Sequence, residues 1–279
     1  MLPCTLNQHP DSVVMRPKEA MCSMPQTRSL SSEQFHIHSP FFIPQLNRQR
    51  AVRVLLPRNY WKDPSRRFPV IYLKDGQNLF DPATAAFRHW KLREFMARQP
   101  LKRQAILVGI DHGGVDRKHE YAPFTRGKSG GQGDAYLQFI VQTLKPFIDQ
   151  EYRTWPHREA TGMVGSSLGG LITFYAGMRY SHVFGKIGAL SPSFWYNPQV
   201  FGLAGANAGP KSQIYVGGSK TETRNMLPML EKTYWALKAG GYADDQFRIV
   251  ARDRGRHSET FWAREFKPMY EWLFPVTAF

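Results

Sequence analysis

Two uninterrupted apolar runs, FPVIYLKD at 68–75 and QAILVGID at 104–111, constrain this chain more than any other feature. A strand with one face in water alternates polar and apolar residues, so runs without alternation belong to central strands covered on both faces. Two β-rich stretches with partial alternation precede them, QFHIHS and RAVRVLLP. Four more strands are expected at ATGMVGSS, KIGALSP, SQIYVGGS and FRIVARD. Helical patterns lie between them. Asp134 is placed to cap a helix in which Leu137, Ile140, Val141, Leu144, Phe147 and Ile148 recur at helical spacing, and Pro146 should bend or shorten its end. LGGLITFYAGMRY continues as a helix from the fifth strand, and another from about Arg224 to Ala239 is stopped by Gly240 and Gly241. A final helix runs roughly from Glu259 to Leu273. This alternation specifies an α/β fold, a mainly parallel sheet with helices on both faces.

The 279 residues fit one such sheet, and no apolar run approaches the roughly 20 residues of a membrane helix. Residues 1–30 are rich in Pro, Met, Ser and Gln without a hydrophobic period and read as a flexible tail, with residues 31–279 as a single domain. Both cysteines, Cys4 and Cys22, fall in that tail, and no secretory h-region is present there. The expected setting is therefore reducing and cytoplasmic. A formal charge of +15 attracts anions, but the basic residues are spread along the chain. With no zinc-ligand spacing and no RNA-recognition motif, no nucleic acid, metal or cofactor is expected, and the charge reads as a solvated surface.

The sequence MVGSSLGGL holds a Gly-x-Ser-x-Gly frame of Gly165, Ser167 and Gly169. A tight strand-to-helix turn needs small residues at both glycine positions, and it lifts the serine hydroxyl to the carboxyl edge of the sheet, where ligands of α/β proteins bind. Ser166 lacks the symmetric glycines and reads as a packing residue. A serine needs a base, and His257, between the last strand and the last helix, can lean over that edge. Glu222 is the one carboxylate in the loop after SQIYVGG and is the candidate third member; it is also placed to cap the next helix. The order Ser, acid, His suits a hydrolase. The Leu168 amide is one expected oxyanion donor, and two glycine loops compete for the second, KDGQNLF at 74–80 and DHGG at 111–114. The long Gly-rich stretch from Asp111 to Asp134 is a candidate wall or lid.

The segments RVLLPRNY, VIYLKDGQNLFD, VGIDHGGVDRKHEYAPF, GMVGSSLGGLITFYAG, FGKIGALSPSFWYN and GRHSETFW resemble the Putative esterase family of α/β-hydrolases, which includes esterase D, enterobactin-type siderophore esterases and feruloyl esterases. The resemblance implies a serine carboxylic-ester hydrolase acting through an acyl-enzyme on a small-molecule ester, with Ser167 as nucleophile and His257 as base. It favours Gly76 and Gln77 for the second oxyanion amide and moves DHGG to the pocket wall. It implies Trp195 as a substrate-facing aromatic and Arg117, Glu120 and Tyr121 as a structured loop, with Arg117 either a substrate contact or part of a buried loop-bracing pair; Trp90 is a further candidate substrate contact. Relatives often carry the acid one residue earlier, where Thr221 stands here. Arg252, Arg254, Arg256 and Lys74 are candidates to steer an anionic substrate, scattered surface charges being the alternative. Acyl transfer to an alcohol and a non-catalytic ligand-binding role remain the alternatives to hydrolysis.

Overall fold

A computed structural model describes residues 34–206 and 209–276. The expected tail and its two cysteines lie outside the described residues. Among those described, eight strands form one sheet: β1 (Phe35–Ile43), β2 (Arg48–Leu55), β3 (Val70–Lys74), β4 (Ile106–Ile110), β5 (Thr161–Ser166), β6 (Lys186–Leu190), β7 (Gln213–Ser219) and β8 (Phe247–Arg252). Their spatial order is β1-β2-β4-β3-β5-β6-β7-β8. The β1–β2 and β2–β4 pairs are antiparallel and every other pair is parallel. Every residue of β3, β4 and β5 is buried, as the unbroken apolar runs of β3 and β4 require.

The main helices are α1 (Leu92–Arg98), α2 (Gly133–Phe139), α3 (Lys145–Glu151), α4 (Leu168–Arg179), α5 (Met226–Ala239) and α6 (Glu259–Leu273). Adjacent residues of a strand face opposite ways, which locates two of these helices. Ile187 of β6 packs where a Cβ on Gly177 of α4 would lie, 2.9 Å from its Cγ1, while its neighbour Gly188 faces Met269 of α6. The two helices therefore cover opposite faces. In α6 the buried residues Phe261, Trp262, Glu265, Phe266, Met269, Tyr270 and Leu273 recur every three to four positions, the stripe that lays a helix on a sheet. All of them but Glu265 join Trp90, Leu92 and Met96 in one apolar cluster.

Pro146 does not end its helix. A π-helical turn, Ile140–Leu144, links α2 to α3, and the Lys145 N–H reaches back five residues to the Ile140 carbonyl. Proline has no N–H to give and its ring crowds the preceding turn, so the wider turn placed just before it lets the helix continue. Asp134 is not the cap either: Gln132 holds that position, and the Asp134 carboxylate accepts from Gln138, Tyr175 and Tyr180. The Gly-rich stretch from Asp111 is less loose than its composition implies. Glu120, Tyr121 and Ala122 within it are fully buried.

The parallel register decides what meets at the carboxyl edge. Ser166 at the end of β5 pairs with Leu190 at the end of β6, which pairs with Gly217, and Ser219 ends β7 opposite Arg252 at the end of β8. The loops after β3, β5, β6, β7 and β8 thus leave the sheet at one edge.

Candidate active site

Ser167 sits between β5 and α4 with φ 58° and ψ −124°, a backbone conformation that ordinarily costs a non-glycine residue about 1–3 kcal/mol. The turn holds it there because the strand and the helix touch backbone to backbone: a Cβ on Gly165 would lie 2.4 Å from the Gly169 carbonyl oxygen. The Ser167 N–H bonds to Leu190 O, and its carbonyl accepts from Leu171 and Ser193.

His257, in the loop between β8 and α6, places Nε2 2.9 Å from Ser167 Oγ. Its Nδ1 lies 3.1 Å from Glu222 Oε2. A carboxylate can only accept, so the neutral ring carries its proton on Nδ1 and leaves Nε2 free to accept from the serine hydroxyl. The imidazole stands edge-on to Trp262, 4.9 Å between centroids at 88°, which fixes its plane. The Glu222 side chain is fully buried, whereas that of His257 is 36% exposed. The other Glu222 oxygen accepts from the Ser219 N–H and from Ser191 Oγ, each at 2.8 Å. Ser191 Oγ in turn accepts from Trp262 Nε1 at 3.0 Å.

Ser191 and Ser193 were not singled out from the sequence, and both come from the turn after β6. Ser193 Oγ lies 3.2 Å from Ser167 Oγ. The signal available was a serine-rich LSPS directly following a strand at the carboxyl edge.

A cavity of 240 Å³ opens over Ser167, lined among others by Asp75, Asn78, Trp90, His112, Arg117 and Trp262. Trp90 is 5% exposed and packs on Trp262 and Phe266. Arg117 reaches the cavity wall but its guanidinium is engaged by both carboxylate oxygens of Asp75, at 2.7 and 2.9 Å. Burial alone would lower the Arg117 pKa; the Asp75 charge and hydrogen bonds overcome this and raise it, so the cation is permanent. Arg117 therefore braces Asp75, itself at φ 58°, at the start of the KDGQNLF loop. Glu120 sits behind it between Arg48 and Arg50, and burial raises its pKa.

Leu168 opens α4, so its N–H belongs to the helix terminus beside Ser167 and has no partner one turn back. Gly76 and Gln77 lie between the wall residues Asp75 and Asn78. The Gln77 side chain turns away to accept from the His112 N–H at 3.1 Å, tying this loop to DHGG. His112 is on the wall, as the resemblance implied for DHGG; its Nδ1 accepts the Gly114 N–H and burial lowers its pKa.

Trp195 stands apart from the Ser167 cavity, and the expectation for Lys74 fails. Trp195 is 53% exposed and does not line the Ser167 cavity. The turn after β6 spends its inward position on Ser193, and two residues later the indole lies beneath the Arg126 guanidinium, 5.1 Å away. Lys74 presents no charge at the surface. It is 2% exposed, its Nζ is buried without a hydrogen-bond partner, and burial lowers its pKa to about 7. As the last residue of β3, it points its stem beneath the serine turn, where Cβ atoms on Gly165 and Gly169 would meet it.

The sheet order, with its antiparallel second strand and a serine turn after the fifth, is that of an α/β-hydrolase. Residues 43–273 match the model of the Putative esterase family, and the chain belongs to that family of carboxylic-ester hydrolases. It is 28% identical over 247 residues to the uncharacterized protein YbbA of Bacillus subtilis, covering 81% of this chain and 92% of that one. It is 26% identical over 171 residues to the ferri-bacillibactin esterase BesA of the same organism, covering 54% of this chain and 56% of the relative. Among solved structures, the BES protein from Bacillus cereus superposes with a TM-score of 0.68 at 17% identity, covering 90% of this chain and 98% of that one. No helix among the described residues is long and apolar enough to cross a membrane.

Proposed function

We propose that the protein cleaves small-molecule carboxylic esters through an acyl-enzyme on Ser167. The observation that carries this reading is the unbroken hydrogen-bonded line from Glu222 through His257 to Ser167. His257 Nε2 takes the hydroxyl proton as Ser167 Oγ adds to the ester carbonyl, and the resulting oxyanion is met by the Leu168 N–H and an N–H of the Gly76–Gln77 loop. The tetrahedral intermediate collapses as the imidazolium gives its proton to the leaving alkoxide. Water then enters, loses a proton to the same base and releases the acid. Glu222 keeps the proton on Nδ1 and stabilises the imidazolium. Because a third of the His257 side chain is open to solvent, water reaches the base easily, which favours hydrolysis over transfer to another alcohol.

The esterase relatives named for siderophores suggest the same kind of ester for this chain. The test is a burst assay with p-nitrophenyl acetate and short-chain homologues. Ser167→Ala and His257→Ala should each lower kcat/KM by roughly 10³-fold or more. Variants as fast as the parent would remove these residues from the mechanism.

A further inference from the structure

The cavity over Ser167 adjoins an outer cleft of 880 Å³, and the two share Phe87, His257, Glu259 and Trp262 as lining residues. Three arginines, Arg88, Arg256 and Arg264, line the outer cleft, against a single carboxylate, Glu259. The negative charge of Glu259 also acts on Arg117, on the inner side. Arg264 lies over the Phe261 ring and 3.6 Å from Glu265, but Arg88 and Arg256 form no ion pair among the described residues. They come from two separate loops, one between β3 and α1 and the other adjoining His257. Phe87, which lines both cavities, is 87% exposed.

The arginines expected from the sequence to steer an anion are mostly committed elsewhere. Arg252 is held by Glu265 at 2.9 and 3.0 Å, and Arg254 lies in a different hollow with Arg252 and Asp253. Arg256 alone of that set reaches the cleft beside the serine, and it is joined there by Arg88 and Arg264, which no sequence pattern connects to it.

Uncompensated guanidinium groups beside an exposed ring are matched by a group that is both flat or apolar and negatively charged. We propose that the outer cleft is a recognition subsite for a carboxylate carried by the acid or the alcohol half of the ester, with Arg88 and Arg256 binding the charge and Phe87 covering the adjoining apolar part. The subsite rests on the reading of Ser167 as the nucleophile, since it orients the ester toward that hydroxyl.

The test compares esters matched in size and differing in charge: p-nitrophenyl hydrogen glutarate against p-nitrophenyl pentanoate, and 4-acetoxybenzoate against p-tolyl acetate. In at least one pair the charged ester should have a kcat/KM about 10-fold above its neutral partner, falling toward parity as ionic strength rises. The Arg88→Ala/Arg256→Ala double variant should lose at least fivefold of that ratio. Ser167-dependent turnover with no preference for charge in either pair overturns the subsite and leaves the catalytic reading intact. If neither kind of ester is hydrolysed the catalytic reading fails, and calorimetric titration with isophthalate decides the subsite separately. Binding that disappears in the double variant supports it; no binding to the parent, or equal binding to the variant, overturns it.

Discussion

Glu222 holds His257 through one carboxylate oxygen at 3.1 Å while Ser219 and Ser191 both donate to the other, so two donors fix the glutamate independently of the imidazole. Its side chain is sealed from solvent. The site therefore uses a rigid acceptor rather than a flexible surface glutamate. It also answers the one-residue offset from the usual acid position: the longer glutamate side chain folds back onto the N–H of Ser219, three residues earlier, and reaches the ring from there.

Glu222→Gln should preserve the fold and lower kcat by about 10²–10⁴-fold with a small change in KM, because an amide nitrogen facing Nδ1 favours the wrong tautomer. Steady-state kinetics with p-nitrophenyl acetate check this. Nearly full activity would take the glutamate out of the mechanism.

Ser191→Ala removes a donor to Glu222 and the acceptor of the Trp262 indole together. We expect a loss of about 1–3 kcal/mol in stability from the buried indole N–H left unpaired. kcat should fall about 10-fold, with KM near that of the parent, because only the orientation of the acid is weakened. Denaturant unfolding and kinetics on the same preparation separate the two effects.

Gly165→Ala places a methyl 2.4 Å from the Gly169 carbonyl oxygen, and both groups are backbone-bound. The strand and helix must separate, so Ser167 loses its alignment with His257. Activity should drop at least 10²-fold and the melting temperature should fall by several degrees, as judged by calorimetry. Unchanged values would mean that the crossing is not tight.

Lys74 gives a pH signature. Its pKa is about 10.5 unfolded and about 7 folded, lowered by burial, so between those values the unfolded chain binds more protons than the folded one. The stability contributed by the neutral amine is fully present above the unfolded value and is lost as pH falls through the folded one. Lys74→Met keeps the packing stem without the charge, and should stabilise the fold by roughly 1–4 kcal/mol at pH 7 with little gain above pH 10. Urea unfolding of both proteins across that range tests the sign; a gain that is constant with pH would contradict it.

The two central strands β3 and β4 were legible because each is an unbroken apolar run, which burial on both faces demands, and the other six from short β-rich stretches bounded by turn residues. The helix through Pro146 is not shortened, because a compensating π turn that leaves no mark in local composition precedes it. Site residues followed the same division. Ser167, His257 and Glu222 were picked as candidates from their order and their places after strands, which chain connectivity carries directly, and the fold brings the three within hydrogen-bonding distance. Lys74 was misjudged because a lysine at the end of a strand is charged or neutral according to what packs over it.

What the sequence determined alone was therefore the order of elements and the choice of Ser167, Glu222 and His257 as candidates, both drawn from short segments. Only the tertiary structure decided the rest: Ser191 beneath Glu222, Arg117 locked to Asp75, and Arg88 brought beside Arg256. Those meetings depend on the register of parallel strands and on loops far apart in the chain. Side-chain burial and charge are set by such neighbours, and local sequence does not name them.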